Sequence, residues 1–188
     1  MNSRAKFLTF FIPSVLVLPL AIVAAQAQAR LTNQSKVSLN GVGQIRVGMT
    51  VAEASQAAGT RLVSLAGGAV DTNSSCFYVK PQGGPKDLEI MLNNGRVARV
   101  DVVRNSSLTT VKGAGIGNTE ARIKSLYPGQ IQVTPHKYTF QTGGHYLTFI
   151  PKDSADKNYR IVFETDGKRV TQFRAGRLPE VEYVERCG

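Results

Sequence analysis

The residues of this chain that could do chemistry are few, and none of them forms an obvious catalytic set. Ser74, Ser75 and Cys76 are consecutive and offer hydroxyl and thiol nucleophiles. A nucleophile of this kind needs a histidine base beside it, oriented by an acid. The two histidines, His136 and His145, lie in or beside predicted strands. No G-x-S-x-G turn presents a serine, so the pattern favours structural or surface roles for both histidines.

Carboxylates, glycines and metal ligands give no stronger signal. Asp153 and Asp156 could pair in a wall-cleaving glycosidase, but interspersed lysines make residues 151–158 resemble a solvated turn without calcium-loop spacing. The motif Gly113-x-Gly115-x-Gly117 could cradle a phosphate, but the Lys-[Ser/Thr] of a P-loop is missing and a structural turn is favoured. The cysteines and histidines lack metal-ligand spacing. We therefore predict no catalytic, cofactor or metal site.

The elements that must position any site begin with a capped helix. Thr50 followed by Glu53 is a capping box, and an alanine-rich run extends to Ala58 before Gly59, a typical stop. Strands are predicted over 76–80, 88–92 and 96–103, and Asn94-Gly95 is typical of a hairpin turn between the last two. Alternation along these strands predicts an inward aliphatic face: Leu88, Ile90, Leu92, Ala98, Val100 and Val102.

The same order recurs in the second half of the chain. Residues 117–121 place turn and cap residues before a second short helix, which ends at 127–129. Strand-like runs follow, and the turn at 165–167 leads into the last of them: 131–133, 137–140, 145–150, 159–164 and 168–175.

Near-constant offsets between the halves indicate duplication. Gly48 and Gly117 are 69 residues apart, as are Cys76 and His145, and the hairpin glycines Gly95 and Gly167 are 72 apart. Self-similarity at a fixed period usually means one structural unit used twice. We therefore predict an α+β fold with two tandem repeats of short helices packed on an antiparallel β-sheet. The predicted segments are a polar leader (30–40), a first repeat (41–109) and a second repeat (110–188); a single α+β domain with chance similarity is the alternative.

A basic and aromatic set is predicted on the other face of the sheet. It comprises six candidate partner-binding residues: Tyr78, Lys80, Arg99, Asp101, Tyr146 and Arg160. Tyr and Arg are enriched at interface hot spots because they combine apolar area with directional hydrogen bonds. The alternative is an ordinary solvated sheet face, which needs alternating polar residues anyway. Arg169, Arg174 and Arg177 extend the basic surface, although the pattern does not fix which way they face.

The N-terminus and the cysteines indicate export. Residues 1–29 combine a basic start, an apolar run from 7 to about 25 and a small-residue A-x-A end, which predicts a cleavable signal peptide. The alternative is a retained transmembrane anchor, but Pro13 and Pro19 interrupt the run. No cysteine near the cut offers a lipid anchor. Cys76 and Cys187 are an isolated pair, which in an oxidising compartment predicts a disulfide that pins the C-terminus.

The charge balance suggests the class of partner. The full chain has 23 basic and 13 acidic residues. Arg4 and Lys6 are the charged residues of the predicted signal peptide, so the exported part carries 21 basic and 13 acidic residues, net +8. A basic exported protein attracts anionic partners such as acidic proteins or envelope polymers. Export removes nucleic acid as a partner, and cleavage leaves no stable membrane anchor.

One motif resembles known families. The pattern Gly-x-Ile-x-x-Gly-Met-Thr-x-x-Glu, from Gly43 to Glu53, resembles the helix start of the β-lactamase inhibitory protein family. It is also similar to the small lipoprotein of the outer-membrane β-barrel assembly machinery. The tandem arrangement over 43–186 points more to the inhibitors, which have two such repeats. The resemblance implies a curved antiparallel sheet with helices on one side and a binding surface on the other.

The resemblance does not carry over residue by residue. Asn118 stands in the second repeat where the first has Met49, and no inhibitory contact residue maps onto this chain. The chain also resembles exported bacterial proteins that end close to a cysteine.

We predict an exported, non-enzymatic binding protein of the cell envelope or secretome, located in the periplasm or outside the cell. It would present the outer sheet face to a protein or anionic partner. The alternatives are an envelope assembly or scaffold factor and a cell-wall-acting hydrolase.

Overall fold

The computed structural model describes residues 30–104 and 106–187, which form two β-sheets and two α-helices. The first half of the chain contributes β1 (Lys36–Ser38), β2 (Gly41–Val42), β3 (Ile45–Arg46), α1 (Val51–Ala58), β4 (Leu62–Ser64), β5 (Cys76–Pro81), β6 (Leu88–Asn93) and β7 (Arg96–Val102). The second half contributes β8 (Thr109–Thr110), α2 (Glu120–Leu126), β9 (Ile131–Pro135), β10 (His145–Phe149), β11 (Tyr159–Thr165) and β12 (Val170–Arg177). Three short 3-10 helices follow later strands: Phe140–Thr142, Ser154–Asp156 and Glu180–Glu182.

The strands are divided between a small and a large sheet. The small sheet has the order β3-β2-β1-β8, with β1 and β8 parallel. The large sheet is antiparallel and has the order β4-β5-β6-β7-β12-β11-β10-β9. Its centre is the pairing of β7 with β12, so the two halves of the chain share one continuous sheet.

The predicted fold class is wrong. The described residues form a mostly-β fold with a mixed four-stranded sheet and an eight-stranded sheet, and not two tandem repeats of short helices on a sheet. Their two α-helices have only eight and seven residues, because Gly59 ends the first and Pro128-Gly129 follows the second. Residues expected to be a loose leader also take part, since β1 lies within 30–40 and both Leu31 and Val37 are buried.

Local turn and cap signals were predicted correctly. The Thr50 side chain accepts from the Glu53 backbone N–H, and the Glu53 carboxylate accepts from the Thr50 N–H at 2.8 Å. Asn94 and Gly95 both have positive φ and connect β6 to β7.

One predicted strand is wrong. Residues 137–139 form a turn that leads into the 3-10 helix Phe140–Thr142, and not the strand predicted over 137–140.

The core lies between the helices and one face of the large sheet. Ala54 and Ala58 of α1 and Ile123 of α2 are fully buried there. They pack with aliphatic and aromatic residues from the sheet, including Ile90, Val100, Phe163 and Phe173. A register shift between Met91 and Leu92 brings Val97 into this core. Ala98, which was expected to face inward there, is not in this core cluster.

No helix of the described residues is long and apolar enough to cross a membrane. The predicted signal peptide, residues 1–29, lies outside the described residues.

Candidate functional site

The candidate site lies on the face of the large sheet opposite the helices, here called the outer face. Alternation along the strands brings all six predicted partner-binding residues onto this face. Strand pairing places Tyr78, Arg99 and Arg160 in one row across the sheet, with Met91 and Gly176 at the positions between them. A second row contains Arg174 and Asp101 on neighbouring strands.

The C-terminal residues 178–187, here called the tail, cover the middle of the outer face. Val181 is fully buried and packs with Tyr146 and Val162. The predicted disulfide is confirmed, because Cys76 and Cys187 are bonded across a separation of 111 residues. A disulfide of this kind is compatible with an exported protein. The tail is therefore part of the fold, fixed by both packing and a covalent bond.

Arg99 anchors the tail through Nη1 and is itself held on the sheet by its other donors. Its Nη1 donates to the backbone carbonyls of Glu180 at 2.8 Å and Tyr183 at 2.7 Å. Its Nε lies 3.0 Å from Asp101 Oδ2, and its Nη2 lies 2.9 Å from Asp101 Oδ1 and 2.7 Å from the Tyr78 hydroxyl. A guanidinium has five N–H groups, so this buried side chain leaves none of them unpaired. Arg99 therefore holds the tail through two of the tail's backbone carbonyls, and not through its side chains.

Arg174 on the neighbouring strand makes a second anchor. Its Nε donates to the carbonyl of Val181 at 2.6 Å, and its Nη1 pairs with the Glu164 carboxylate. Gln172 and His136 donate to the other oxygen of Glu164, at 2.6 and 3.1 Å. Burial alone would raise the pKa of Glu164, but these three partners outweigh it and hold that pKa below its usual value. Glu164 therefore stays ionised as the counter-ion of a buried arginine.

His136 has a structural role in this cluster. Its Nδ1 accepts hydrogen bonds from the backbone N–H groups of Tyr138 and Thr139, at 3.1 and 3.2 Å. Because Nδ1 is an acceptor, the ring proton sits on Nε2 and is donated to Glu164. Both nitrogens are occupied and the ring is stacked on Tyr146, so His136 is not free to act as a catalytic base.

The tail changes which predicted residues can reach a partner. Arg99, Asp101 and Tyr146 are only 2%, 6% and 9% exposed. Tyr78 is half-buried beneath Arg186, whose guanidinium carbon lies 3.9 Å from the ring centroid, and burial raises the pKa of its hydroxyl. Lys80 on β5 and Arg160 on β11 are half-buried and keep part of their surface open to solvent.

An open groove of about 260 Å³ runs beside the tail over β9, β10 and β11. Its polar lining includes Gln132, Thr134 and Thr148, and its apolar lining includes Val162 and Val184. The groove contains the accessible Arg160, and its lining combines hydroxyl, amide and aliphatic groups.

Arg160 supplies a charge to this groove. Its Nη1 donates to the backbone carbonyls of Lys157 and Tyr159, at 2.8 and 2.7 Å. Among the described residues no carboxylate pairs with Arg160, and its Nε and Nη2 have no hydrogen-bond acceptor. Glu182 of the tail lies on the groove as well and limits its positive charge. The groove therefore offers a fixed guanidinium with unused donors next to a single acid.

The other residues that were considered for catalysis make structural contacts instead. The sulfur of Cys76 is bonded, so the Ser74–Cys76 cluster has no free thiol. His145 and Thr165 both contact the Glu120 carboxylate, at 2.8 and 2.6 Å, and tie α2 to the sheet. Asp153 accepts from the Ala155 N–H and caps a 3-10 helix.

Sequence reasoning singled out Arg99 but missed the other groups that hold the tail. The sequence pattern does not fix which way Arg174 faces, and it marks neither Glu164 nor the tail carbonyls. Alternation between Gln172 and Arg174 in β12 could have placed Arg174 on the outer face, since Ala175 faces inward. No sequence signal marks a backbone carbonyl as the partner of an arginine some 80 residues away.

No family model matches the chain, and no curated protein matches it either.

Proposed function

We propose that the chain is an exported, non-enzymatic binding protein of the cell envelope or secretome, and that its groove holds an acidic segment of a partner protein. The observation that carries this proposal is Arg160, which has unused donors in an open groove and no carboxylate partner among the described residues. A guanidinium with two free donor groups is suited to a carboxylate, because its planar fork matches the two oxygens.

The dimensions of the groove favour a segment of a protein over a compact small molecule. Its volume of about 260 Å³ is below the roughly 300–1,000 Å³ of typical small-molecule sites. The groove is open, so one or two side chains of an extended segment can enter it while the rest of the segment remains outside. Val162 and Val184 provide apolar contact, and Thr134 and Thr148 provide hydrogen bonds to a main chain.

The net positive charge of the protein favours an acidic partner, and Glu182 limits how many acidic residues the groove can accept. The exported part has 21 basic and 13 acidic residues, which favours encounter with anionic proteins. Glu182 at the groove would repel a second acidic group placed beside the first. The segment that fits best carries one acidic residue flanked by apolar residues.

Charge reversal tests this proposal. The native protein, immobilised, would be used to capture proteins from its own envelope fraction and culture fluid, and a captured protein would be mapped with overlapping peptides. We expect Arg160→Glu to weaken binding of the mapped peptide at least about tenfold, because a charge-assisted hydrogen bond contributes roughly 1.5–3 kcal/mol. Arg160→Lys keeps the charge and should bind with intermediate affinity.

Arg122→Glu is the matched control. Arg122 is exposed on α2, on the opposite side of the sheet, and its replacement makes the same change in net charge. If Arg122→Glu weakens binding as much as Arg160→Glu, general charge and not the groove attracts the partner. Equal affinity of wild type and Arg160→Glu would exclude the groove as the binding site.

A further inference from the structure

The edge strand β9 of the large sheet is exposed over most of its length. It pairs with β10 on one side only, and four of its five residues are exposed. Val133 is an exposed aliphatic residue, 40% accessible, on the same side of the strand as the half-buried Ile131. This edge lies at the opposite end of the sheet from β4.

The pairing register identifies which backbone groups of β9 are free. Ile150 N–H donates to the Gln130 carbonyl and His136 N–H donates to the Gly144 carbonyl, both at 2.9 Å. In an antiparallel ladder, hydrogen-bonded positions alternate, so Gln132 and Thr134 also direct their backbone groups to β10. The N–H groups of Ile131 and Val133 therefore point away from the sheet, together with the carbonyls of 131, 133 and 135.

The usual protection of an edge strand is missing from β9. Edges are commonly blocked by charged side chains, short length or a covering loop. No charged residue occurs from Gly129 to Thr134, although the chain as a whole carries a net charge of +10. The other edge strand, β4, has only three residues, and its first two are buried. Pro135 has no backbone N–H, so it removes one hydrogen-bond donor at the C-terminal end of β9 only.

We propose that β9 pairs with β9 of a second copy of this chain about a two-fold axis. With Gln132 on the axis, Ile131 of each copy lies opposite Val133 of the other. Each of the four outward N–H groups then meets an outward carbonyl, and the two β-branched side chains pack directly across the pair. The run from Gly129 to Thr134 is uncharged, so a second copy can pair with this edge without placing like charges of the two strands against each other. A two-fold contact of this kind is closed, so it stops at a dimer.

The dimer has a consequence for the outer face. The axis is perpendicular to the sheet, so both outer faces lie on the same side. Gln132 lines the groove in each copy, and the two grooves become neighbours across the joined edges. The pairing of two short strands is small beside the roughly 1,200–2,000 Å² of a stable interface, so the dimer is weak and depends on concentration.

Sedimentation of the native protein, isolated from its producing cells, tests the pairing. Between roughly 1 µM and 1 mM we expect a reversible shift from monomer to dimer. Gln132→Lys and Gln132→Glu should each weaken the dimer at least about tenfold, because like charges would meet directly across the axis. An equimolar mixture of the two variants should recover association. Gln82→Lys and Gln82→Glu, changes at an exposed glutamine in the loop after β5, should have no effect.

Amide exchange of the wild type gives a second test that needs no variant. The amides of Ile131 and Val133 should exchange more slowly as the protein concentration rises, whereas those of Gln132 and Thr134 should be protected at every concentration. A protein that stays monomeric up to the highest concentration overturns the proposal. A dimer that Gln132→Lys leaves intact, without concentration-dependent protection of Ile131 and Val133, overturns it as well. Neither result bears on whether Arg160 binds a carboxylate.

Discussion

Replacing Arg99 with methionine should release the tail from the outer face and destabilise the protein. Methionine keeps much of the aliphatic volume of arginine but removes all five donors. The change leaves the Asp101 carboxylate buried without its cation, and it removes the donor to the carbonyls of Glu180 and Tyr183. It also removes the hydrogen bond to the Tyr78 hydroxyl.

The size of the effect follows from the buried charge. Removing one partner of a buried ion pair costs about 3–5 kcal/mol, because the other charge stays without compensation. An orphaned buried carbonyl would add roughly 1–3 kcal/mol, but the carbonyls of Glu180 and Tyr183 regain water when the tail lifts. We therefore expect a loss of about 3–5 kcal/mol in the free energy of unfolding and no larger sum.

The loss should also depend on pH. Burial raises the pKa of Asp101, although Arg99 opposes this effect. Without Arg99 the protonated form of Asp101 is favoured still more in the folded state. A raised pKa contributes stability at low pH that is lost as pH rises through the folded pKa. The difference between Arg99→Met and wild type should therefore be smaller near pH 4 than at pH 8.

Urea unfolding of the oxidised protein measures these values. Arg160→Met is the control, since Arg160 lies outside the tail contacts and should cost less than about 1 kcal/mol. Adding Asp101→Asn to Arg99→Met removes the uncompensated charge and should recover part of the loss. A loss below about 1 kcal/mol for Arg99→Met, equal to that of Arg160→Met, would refute the role of Arg99 as the buried anchor.

Three further changes test the structure that supports the site. Reducing the Cys76–Cys187 bond should lower the free energy of unfolding by about 4–5 kcal/mol, as chain entropy predicts for so long a loop, and urea midpoints with and without reductant measure this. Gly176→Ala places a Cβ 2.4 Å from the Cβ of Arg99, and thermal and urea unfolding should show a loss of about 1–3 kcal/mol. Folding lowers the pKa of Glu164, so its contribution is full above the usual value of 4.5 and is lost as pH falls through the folded pKa; Glu164→Gln should flatten the acid limb of a stability–pH curve.

Each of these predictions has a contradicting outcome. An unchanged urea midpoint after complete reduction would mean that the disulfide adds nothing to the anchoring of the tail. Gly68→Ala is the control for Gly176→Ala, because its Cβ meets only a side-chain oxygen at 3.9 Å. Equal losses for the two glycines would remove the steric argument. If the acid limbs of wild type and Glu164→Gln are parallel, the buried partners of Glu164 do not lower its pKa in the folded protein.

The sequence predicted those features that depend on neighbours along the chain. The capping box of Thr50 and Glu53 and the turn at Asn94-Gly95 are set by hydrogen bonds and φ angles within a few residues. The disulfide followed from an isolated cysteine pair and an inferred compartment. Alternation placed the six candidate residues on one face, because a strand exposes every second side chain to the same side.

The fold class and the covered site were outside the reach of such patterns. Strands of two residues, such as β2 and β3, show no periodicity. The pairing of β7 with β12 joins residues about 75 positions apart, so no local signal specifies it. The tail has neither helical nor strand alternation, and its binding to Arg99 uses backbone carbonyls that every sequence has. An arginine expected to face solvent is therefore buried.

The central claim is that the groove beside the tail binds an acidic segment through Arg160. The most direct measurement is the affinity of one mapped partner peptide for wild type, Arg160→Glu and Arg122→Glu, at a fixed salt concentration. We predict that Arg160→Glu binds at least about tenfold more weakly while Arg122→Glu remains close to wild type. Equal affinities for all three proteins, with each of them folded, would contradict the claim.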